Sequence, residues 1–308
     1  MLDFRLRSLL EVVRTGGFST AAEVLHLTQP AVSQHIRALE ELYGVTLLLR
    51  KGKRTRPTPE GELLFVHAER MEALSRSMDR DMATARSVVR TFEVGATLTI
   101  AEYLLPRLIG RYRRENEHVR IRLSVENTDG TIHRLQRNEL VLAIVEGPFR
   151  EEGLLSSKLA GDELLAVCAP GHPIVAEGEP ARRTARRAVG RRVGLATLLG
   201  SDLILREPGS GTREVFERYL VLQGVDPRSV HPYMEIGSIN AIKSLVKSEL
   251  GVTILSRLSV EAELEEGSLV RIPIDGPPIH RELRFVWNEY SDRTFVEEFS
   301  RFCVRSIG

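Results

Sequence analysis

Two stretches of this 308-residue chain hold side chains whose types and spacing suit recognition chemistry. In the first, Gln29, Pro30, Ser33, Gln34 and Arg37 share one face at helical spacing, opposite Val32, Ile36, Leu39 and Leu42. Amide and guanidinium groups in such a row can read base edges in a DNA groove, while hydroxyls such as Ser19 and Thr28 can hold phosphates. Shortly after, Arg50, Lys51, Lys53, Arg54 and Arg56 put five cations into seven positions, which suits phosphates on either side of that groove. Alone, such a run reads as a solvated hairpin; directly after a base-reading helix it reads as part of the same contact.

The second stretch is Leu205-Arg206-Glu207-Pro208-Gly209-Ser210-Gly211-Thr212-Arg213. A strand, a glycine loop and a helix in that order offer backbone N–H groups at a helix N-terminus, where orphan donors and the dipole favour an anion. Ser210 and Thr212 add hydroxyls, Gly211 lets a ligand approach, and Arg206 and Arg213 add charge. No Gly-Lys-Ser/Thr follows, so it is not a Walker A loop. The plainer alternative is a helix cap with two surface arginines. Three further strand ends weigh against it: Thr97 and Thr99, Asn127-Thr128, and Gly237-Ser238, which would point hydroxyls and amides into one cleft. A small oxyanion or phosphorylated metabolite suits such a cleft. Glu146 would repel it unless paired with Arg206 or Arg213.

Bond-breaking chemistry has no comparable support. There is no nucleophile elbow, no dinucleotide glycine fingerprint and no close histidine pair, so neither catalysis nor a bound cofactor or metal is expected. Two cysteines among 308 residues are too few for a disulfide framework. A cysteine-based redox sensor is the alternative function, but Cys168 follows the apolar run Leu164-Leu165-Ala166-Val167, which predicts a buried, inert thiol. No run approaches 18 apolar residues and the N-terminus mixes acid with base, so a cytoplasmic protein with no membrane contact is expected.

The elements that must position these residues follow from periodicity. Leu6, Leu9, Leu10 and Val13 mark a helix ended by Gly16-Gly17. Ser19 is placed to cap a second, short helix containing Ala21, Ala22, Val24 and Leu25. Thr28 caps a third, with Pro30 in its first turn and an end near Tyr43. Val45–Arg50 and Arg54–Pro57 read as a two-stranded wing. Residues 1–58 hold nine basic and five acidic residues, whereas the whole chain nets only +1; the base is concentrated where a polyanion would lie. Thr58 and Pro59 then open a long helix of roughly 28 residues, about 42 Å, with Leu64, Met71, Met78 and Ala85 every seventh position. That stripe fits pairing with a second copy, since two-fold operators need paired readers; the alternative is packing on its own domain.

Beyond about residue 90, strands and helices alternate. Phe92–Ala96, Val119–Val125 and Val141–Val145 form one set of strands; Leu164–Ala169, Asp202–Arg206, Tyr233–Ile236 and Val252–Leu255 form a second. Leu283–Trp287 and a helix over Asp292–Arg305 return to the first. Two lobes joined by two crossings, near residues 160 and 270, are expected to close on something small. The domains expected are 1–58, a DNA-binding winged helix-turn-helix; 59–88, a linker helix; and 89–308, an effector domain, with lobe I at about 89–161 and 271–308 and lobe II at about 162–270.

Gly17-Phe18-Ser19-Thr20-Ala21-Ala22, Leu25–Ser33, Ile36-Arg37-Ala38-Leu39-Glu40 and Thr58-Pro59-Glu60-Gly61 resemble the signature of LysR-type transcriptional regulators, nearly position for position. One departure is Leu47-Leu48-Leu49-Arg50, where that family has Leu-Phe-polar-Arg; it exposes Leu49 or packs it unusually. Gly95-Ala96-Thr97, Tyr103–Pro106, Val145-Glu146-Gly147 and Arg206–Arg213 are similar to the branch of that family controlling sulfur assimilation, sulfite response and carbon-dioxide fixation. The resemblance implies an all-α N-terminal winged helix-turn-helix, a long linker helix and an α/β, two-lobed, periplasmic-binding-protein-like effector domain. It implies as partners a double-stranded DNA operator, a small anionic effector, further copies of the chain as a dimer of dimers, and RNA polymerase. Ala181–Arg192, with six arginines, departs from that branch and reads as a solvated insertion or, alternatively, a second polyanion contact.

Overall fold

The computed structural model describes residues 2–51, 54–84, 89–151, 153–176 and 192–307. These divide into two compact units: the chain up to Arg90 with Gln136–Glu139, and Thr91–Leu135 with Leu140 onward. The insertion expected at 181–192 lies outside the described residues except for Arg192, as do Lys53 and Ala85.

In the first unit, α1 (Phe4–Thr15) is capped by the Asp3 carboxylate and ends at Gly16, whose φ of 71° is the left-handed conformation that glycine adopts without penalty. α2 (Phe18–Leu25) starts earlier than Ser19 would place it: Gly17 is its N-cap and no side chain caps it. Ser19 is exposed in its first turn. α3 (Gln29–Tyr43) is capped by Thr28, whose hydroxyl accepts from the Ala31 N–H at 3.4 Å. Leu9, Leu10, Ile36, Leu39 and Leu47 form the core. Sealing each such side chain from water contributes about 1.5–3 kcal/mol. Two expected core contacts are missing: Leu42 is 61% exposed and Val24 54%, because each turns to the outer side of its helix.

β1 (Leu48–Lys51) and β2 (Arg54–Pro57) pair antiparallel as the wing, Leu48 opposite Pro57. Leu47 is buried beneath it and Leu49 is exposed. Glu40 fixes the entry to β1, its carboxylate accepting from the Leu47 N–H at 2.8 Å. α4 (Pro59–Thr84) follows, with the Thr58 hydroxyl accepting from the Gly61 N–H at 2.9 Å. Its stripe divides in two. Leu64, Phe65 and Ala68 pack on the core of their own unit, and Arg14 of α1 ties to Glu69 and Glu72. Met71, Leu74, Met78 and Met82 are all exposed.

The second unit is an α/β fold built on one nine-stranded sheet of described residues. One lobe holds β3 (Arg90–Thr97), α5 (Leu98–Tyr103), α6 (Leu105–Glu115), β4 (Val119–Glu126), α7 (Thr128–Gln136) and β5 (Leu142–Glu146). Its core is aromatic: Phe92 stacks on Phe295 at 3.9 Å, and Tyr112 meets Phe299 edge-on at 4.9 Å. β6 (Leu154–Cys168) then runs 15 residues from this lobe into the next. The other lobe follows with α8 (Pro173–Ala176), α9 (Leu195–Leu199), β7 (Leu203–Leu205), α10 (Gly211–Leu222), β8 (Met234–Glu235), α11 (Ile239–Lys247), β9 (Val252–Ser256), α12 (Arg257–Glu266) and β10 (Val270–Ile272). β11 (Ile279–Asn288) returns antiparallel to β6 over its whole length, and α13 (Arg293–Ile307) closes the first lobe.

The strand order β4-β3-β5-β11-β6-β9-β7-β8 puts the two long crossing strands in the middle. β3–β5, β7–β9 and β7–β8 are parallel, so the carboxyl ends of β3, β5 and β7 and the helices after them carry the loops where an α/β fold gathers ligands. No described helix is long and apolar enough to cross a membrane.

Candidate functional site

α3 presents its predicted edge outward. Gln29, Pro30, Gln34 and Arg37 are exposed and Ser33 is half-buried, while Val32, Ile36 and Leu39 face inward. The Gln29 amide donates to the Ser33 hydroxyl at 2.9 Å, which orients both side chains along the edge before any ligand arrives. Thr28, exposed beside this edge, is occupied as the cap. Arg56 is exposed on β2; Arg50, Lys51 and Arg54 lie on the two wing strands.

In the effector unit the glycine loop makes unusually close backbone contact with the other lobe. A methyl group on Gly211 would collide with the Glu146 carbonyl oxygen and crowd the Thr128 hydroxyl. The Thr128 hydroxyl itself donates to that carbonyl at 3.0 Å. Gly147 has a φ of 85° and lies against the Gly211 backbone, so glycine is required on both sides of this contact. Thr97, Glu146, Thr128, Gly211 and Thr212 are thus brought together.

Glu146 is paired, but not with the arginines expected. Arg206 pairs with Glu207 at 2.8 Å, and Arg213 pairs with Glu217 and Glu235, so neither reaches Glu146. The partner is Arg281 on β11. Its Nη1 lies 3.7 Å from Glu146 and donates to the Thr212 hydroxyl at 3.0 Å, and its Nε donates to Asp162 at 2.7 Å. Asp162 also accepts from the Ser256 hydroxyl at 2.7 Å, and Glu146 accepts from Thr97. Arg281 lies before the strand expected at Leu283–Trp287, and nothing local signals carboxylate partners over a hundred positions away.

The predicted hydroxyls therefore separate into two groups. Thr97, Thr128 and Thr212 serve the buried network, Arg213 serves its own helix and β8, and Ser238 caps α11 by accepting from the Ala241 N–H. Other groups keep unused capacity. Arg206 has a side chain only 4% exposed and its Nη1 has no hydrogen-bond partner among the described residues; Thr99 is likewise buried with its hydroxyl unpartnered. Ser210, the N-cap of α10, is buried and makes no capping bond, which leaves the helix N-terminus open.

A second inter-lobe contact escaped sequence reading. The Tyr103 hydroxyl on α5 donates to Asn240 on α11 at 3.2 Å, and Lys243 lies 4.9 Å over the Tyr103 ring while pairing with Glu263 of α12 at 2.9 Å. Burial pulls the Lys243 ammonium down, but Glu263 and Tyr103 together hold it above its ordinary value.

Both cysteines are fully buried, and burial pushes each thiol up to about 12. A thiol so placed is a poor nucleophile toward oxidants. Among the described residues no cluster could hold a metal ion.

Residues 4–62 match the model of the bacterial regulatory helix-turn-helix protein, lysR family, and residues 85–307 match that of the LysR substrate binding domain. The chain belongs to the LysR family. As a LysR-type protein it is a DNA-binding transcriptional regulator with a ligand-binding domain, and not an enzyme. The chain is 29% identical to the RuBisCO operon transcriptional regulator of Allochromatium vinosum over 283 residues, 92% of this chain and 88% of that one. It is 31% identical to the probable RuBisCO transcriptional regulator of Trichormus variabilis, over 96% of this chain and 85% of that one. These relatives sit on the carbon-fixation side of the branch that the LysR motifs suggested. Full-length CbnR in complex with its target DNA shares the fold, with a TM-score of 0.63 and 20% identity over 99% of this chain and 100% of that one.

Proposed function

We propose that this LysR-type regulator binds a small oxyanion, or the phosphate of a phosphorylated metabolite, between its lobes, and that occupancy sets how it holds DNA. The observation that carries the reading is Arg206: a guanidinium all but sealed from water, with Nη1 unpartnered, just before the uncapped N-terminus of α10. Donor-only nitrogen and orphan backbone N–H groups call for an acceptor-rich anion. Arg281 and the Thr97 hydroxyl both engage Glu146, which weakens the repulsion its carboxylate would exert. Thr99 and Ser210 supply further hydroxyls. Gly211, Thr97, Thr128, Thr212, Arg213 and Ser238 shape this cleft rather than touch the anion.

On the DNA side, Gln29, Ser33, Gln34 and Arg37 read the groove, and Ser19, Thr28, Pro30, Arg50, Lys51, Lys53, Arg54 and Arg56 line the backbone on either side. The exposed half of the α4 stripe pairs two copies, and two such dimers fit a dimer of dimers. RNA polymerase is the further partner that promoter activation calls for.

Thermal melting across sulfite, sulfate, inorganic phosphate and a sugar phosphate tests the cleft. A ligand at a hundred times its Kd adds about 2.7 kcal/mol, worth roughly 5–10 °C for a domain of this size. Arg206→Gln should abolish the shift. An unchanged melting temperature across the panel refutes the reading.

A further inference from the structure

A second concavity lies between α10 and the start of β11. It encloses about 490 Å³. Val215 and Leu222 of α10 and the Pro277-Pro278 pair leading into β11 give it apolar walls. Three arginines, Arg218, Arg281 and Arg284, line it against one acid, Glu282. Two of those guanidinium groups have buried nitrogens without a hydrogen-bond partner among the described residues: Nη2 of Arg281 and Nε of Arg284. The Arg281 side chain is only 1% exposed. A guanidinium nitrogen can only donate, so each of these sites calls for an acceptor brought from outside.

The charge arithmetic of the groove narrows the ligand. Arg281 faces two carboxylates, Asp162 and Glu146, while Glu282 faces two cations, Arg284 and Lys158; with Arg218 the set is four cations against three acids, one positive charge in excess. One negative charge matches this balance, whereas a multiply charged phosphate would meet the carboxylates behind the guanidinium groups. A planar carboxylate offers two acceptor oxygens in the geometry that guanidinium groups bind best. The proline, valine and leucine walls suit an apolar body. We propose that the groove is a second ligand site of this protein, for a small monocarboxylate with a compact apolar body.

The site is separate from the anion cleft and does not rest on it, but the two share a wall. Arg281, which lines the groove, also holds Thr212 and reaches Glu146, and Gly147 of the groove lies against Gly211. Filling one site should therefore change affinity at the other, and by thermodynamic necessity the effect is reciprocal.

The test uses the full chain with 4-bromobenzoate as the probe, read by calorimetry and by the bromine anomalous signal in crystals. The expected results are one groove site per chain with bromine between α10 and β11, and at least about a tenfold loss of affinity in Arg218→Glu and in Val215→Trp, which fills the groove. Arg218 is exposed, so that variant keeps the fold even if Val215→Trp does not. Binding should survive in Arg206→Gln, which disables only the cleft, so failure of the groove and failure of the cleft are read independently. Bromine in the cleft or elsewhere, no heat of binding in solution, or affinity unmoved by Arg218→Glu would overturn the proposal.

Discussion

Arg281 Nε donates to Asp162 Oδ2 at 2.7 Å across the two crossing strands, and each side chain is only 1% exposed. With Glu146 and Thr212 on the same guanidinium, this pair ties the two lobes at the strands that join them. Removing one partner from a buried ion pair leaves a desolvated charge behind, at a cost of about 3–5 kcal/mol.

Arg281→Met should therefore lose about that much stability in urea unfolding. The double variant with Asp162→Asn should recover part of it, because one stranded carboxylate is then gone. A near-neutral single variant would show that the network carries no such charge burden.

Gly211→Ala should separate the lobes locally, because its methyl group meets backbone rather than a flexible side chain. Hydrogen exchange should rise at residues 145–149 and 209–213, with melting lowered and anion stabilisation weakened. Unchanged protection in both segments would contradict the close approach.

Lys243 and Glu263 predict an acid limb in stability. Burial pushes the Glu263 carboxyl up, but bonds from Lys243, its own backbone and Lys247 hold it below its ordinary 4.5. A lowered folded value means that the stabilisation is fully present above that ordinary value and is lost as pH falls below it. Urea unfolding followed downward from pH 6 should show the wild type losing stability below about pH 4.5, with a shallower loss in the Lys243→Met/Glu263→Gln variant. Parallel curves would contradict the pairing.

Leu74→Glu should weaken self-association with little change in folding, since Leu74 is 55% exposed within one chain and sits among Met71, Met78 and Met82. Sedimentation should show smaller species at micromolar concentration. The same change would leave the distribution untouched if the stripe served no partner.

The DNA-reading unit was legible because its signals are local. Thr28 and Pro30 start α3, the spacing of Val32, Ile36 and Leu39 fixes its face, and Gly16 ends α1 at a left-handed turn. The alternation of strand and helix gave the two lobes. Arg281 and Asp162 were hidden, because their burial comes from partners distant in the chain and both lie outside the strands expected at Leu164–Ala169 and Leu283–Trp287. For the same reason nothing in the sequence shows that the Thr97, Thr128 and Thr212 hydroxyls bond the Glu146 carboxylate, its backbone carbonyl and Arg281. β6 was seen only in its apolar second half; Ser156, Ser157, Lys158, Gly161 and Asp162 in its first half gave no strand period.

The most direct test is anisotropy titration of the full chain against an operator duplex enriched from random sequence and against an unrelated duplex, over a range of salt. Gln34→Ala should lose affinity for the operator by about 1–3 kcal/mol and little for the unrelated duplex, while Arg54→Ala should weaken both alike and flatten the salt slope. Equal loss on both duplexes for Gln34→Ala, or no duplex affinity at low salt, would contradict the claim that this edge of α3 reads DNA.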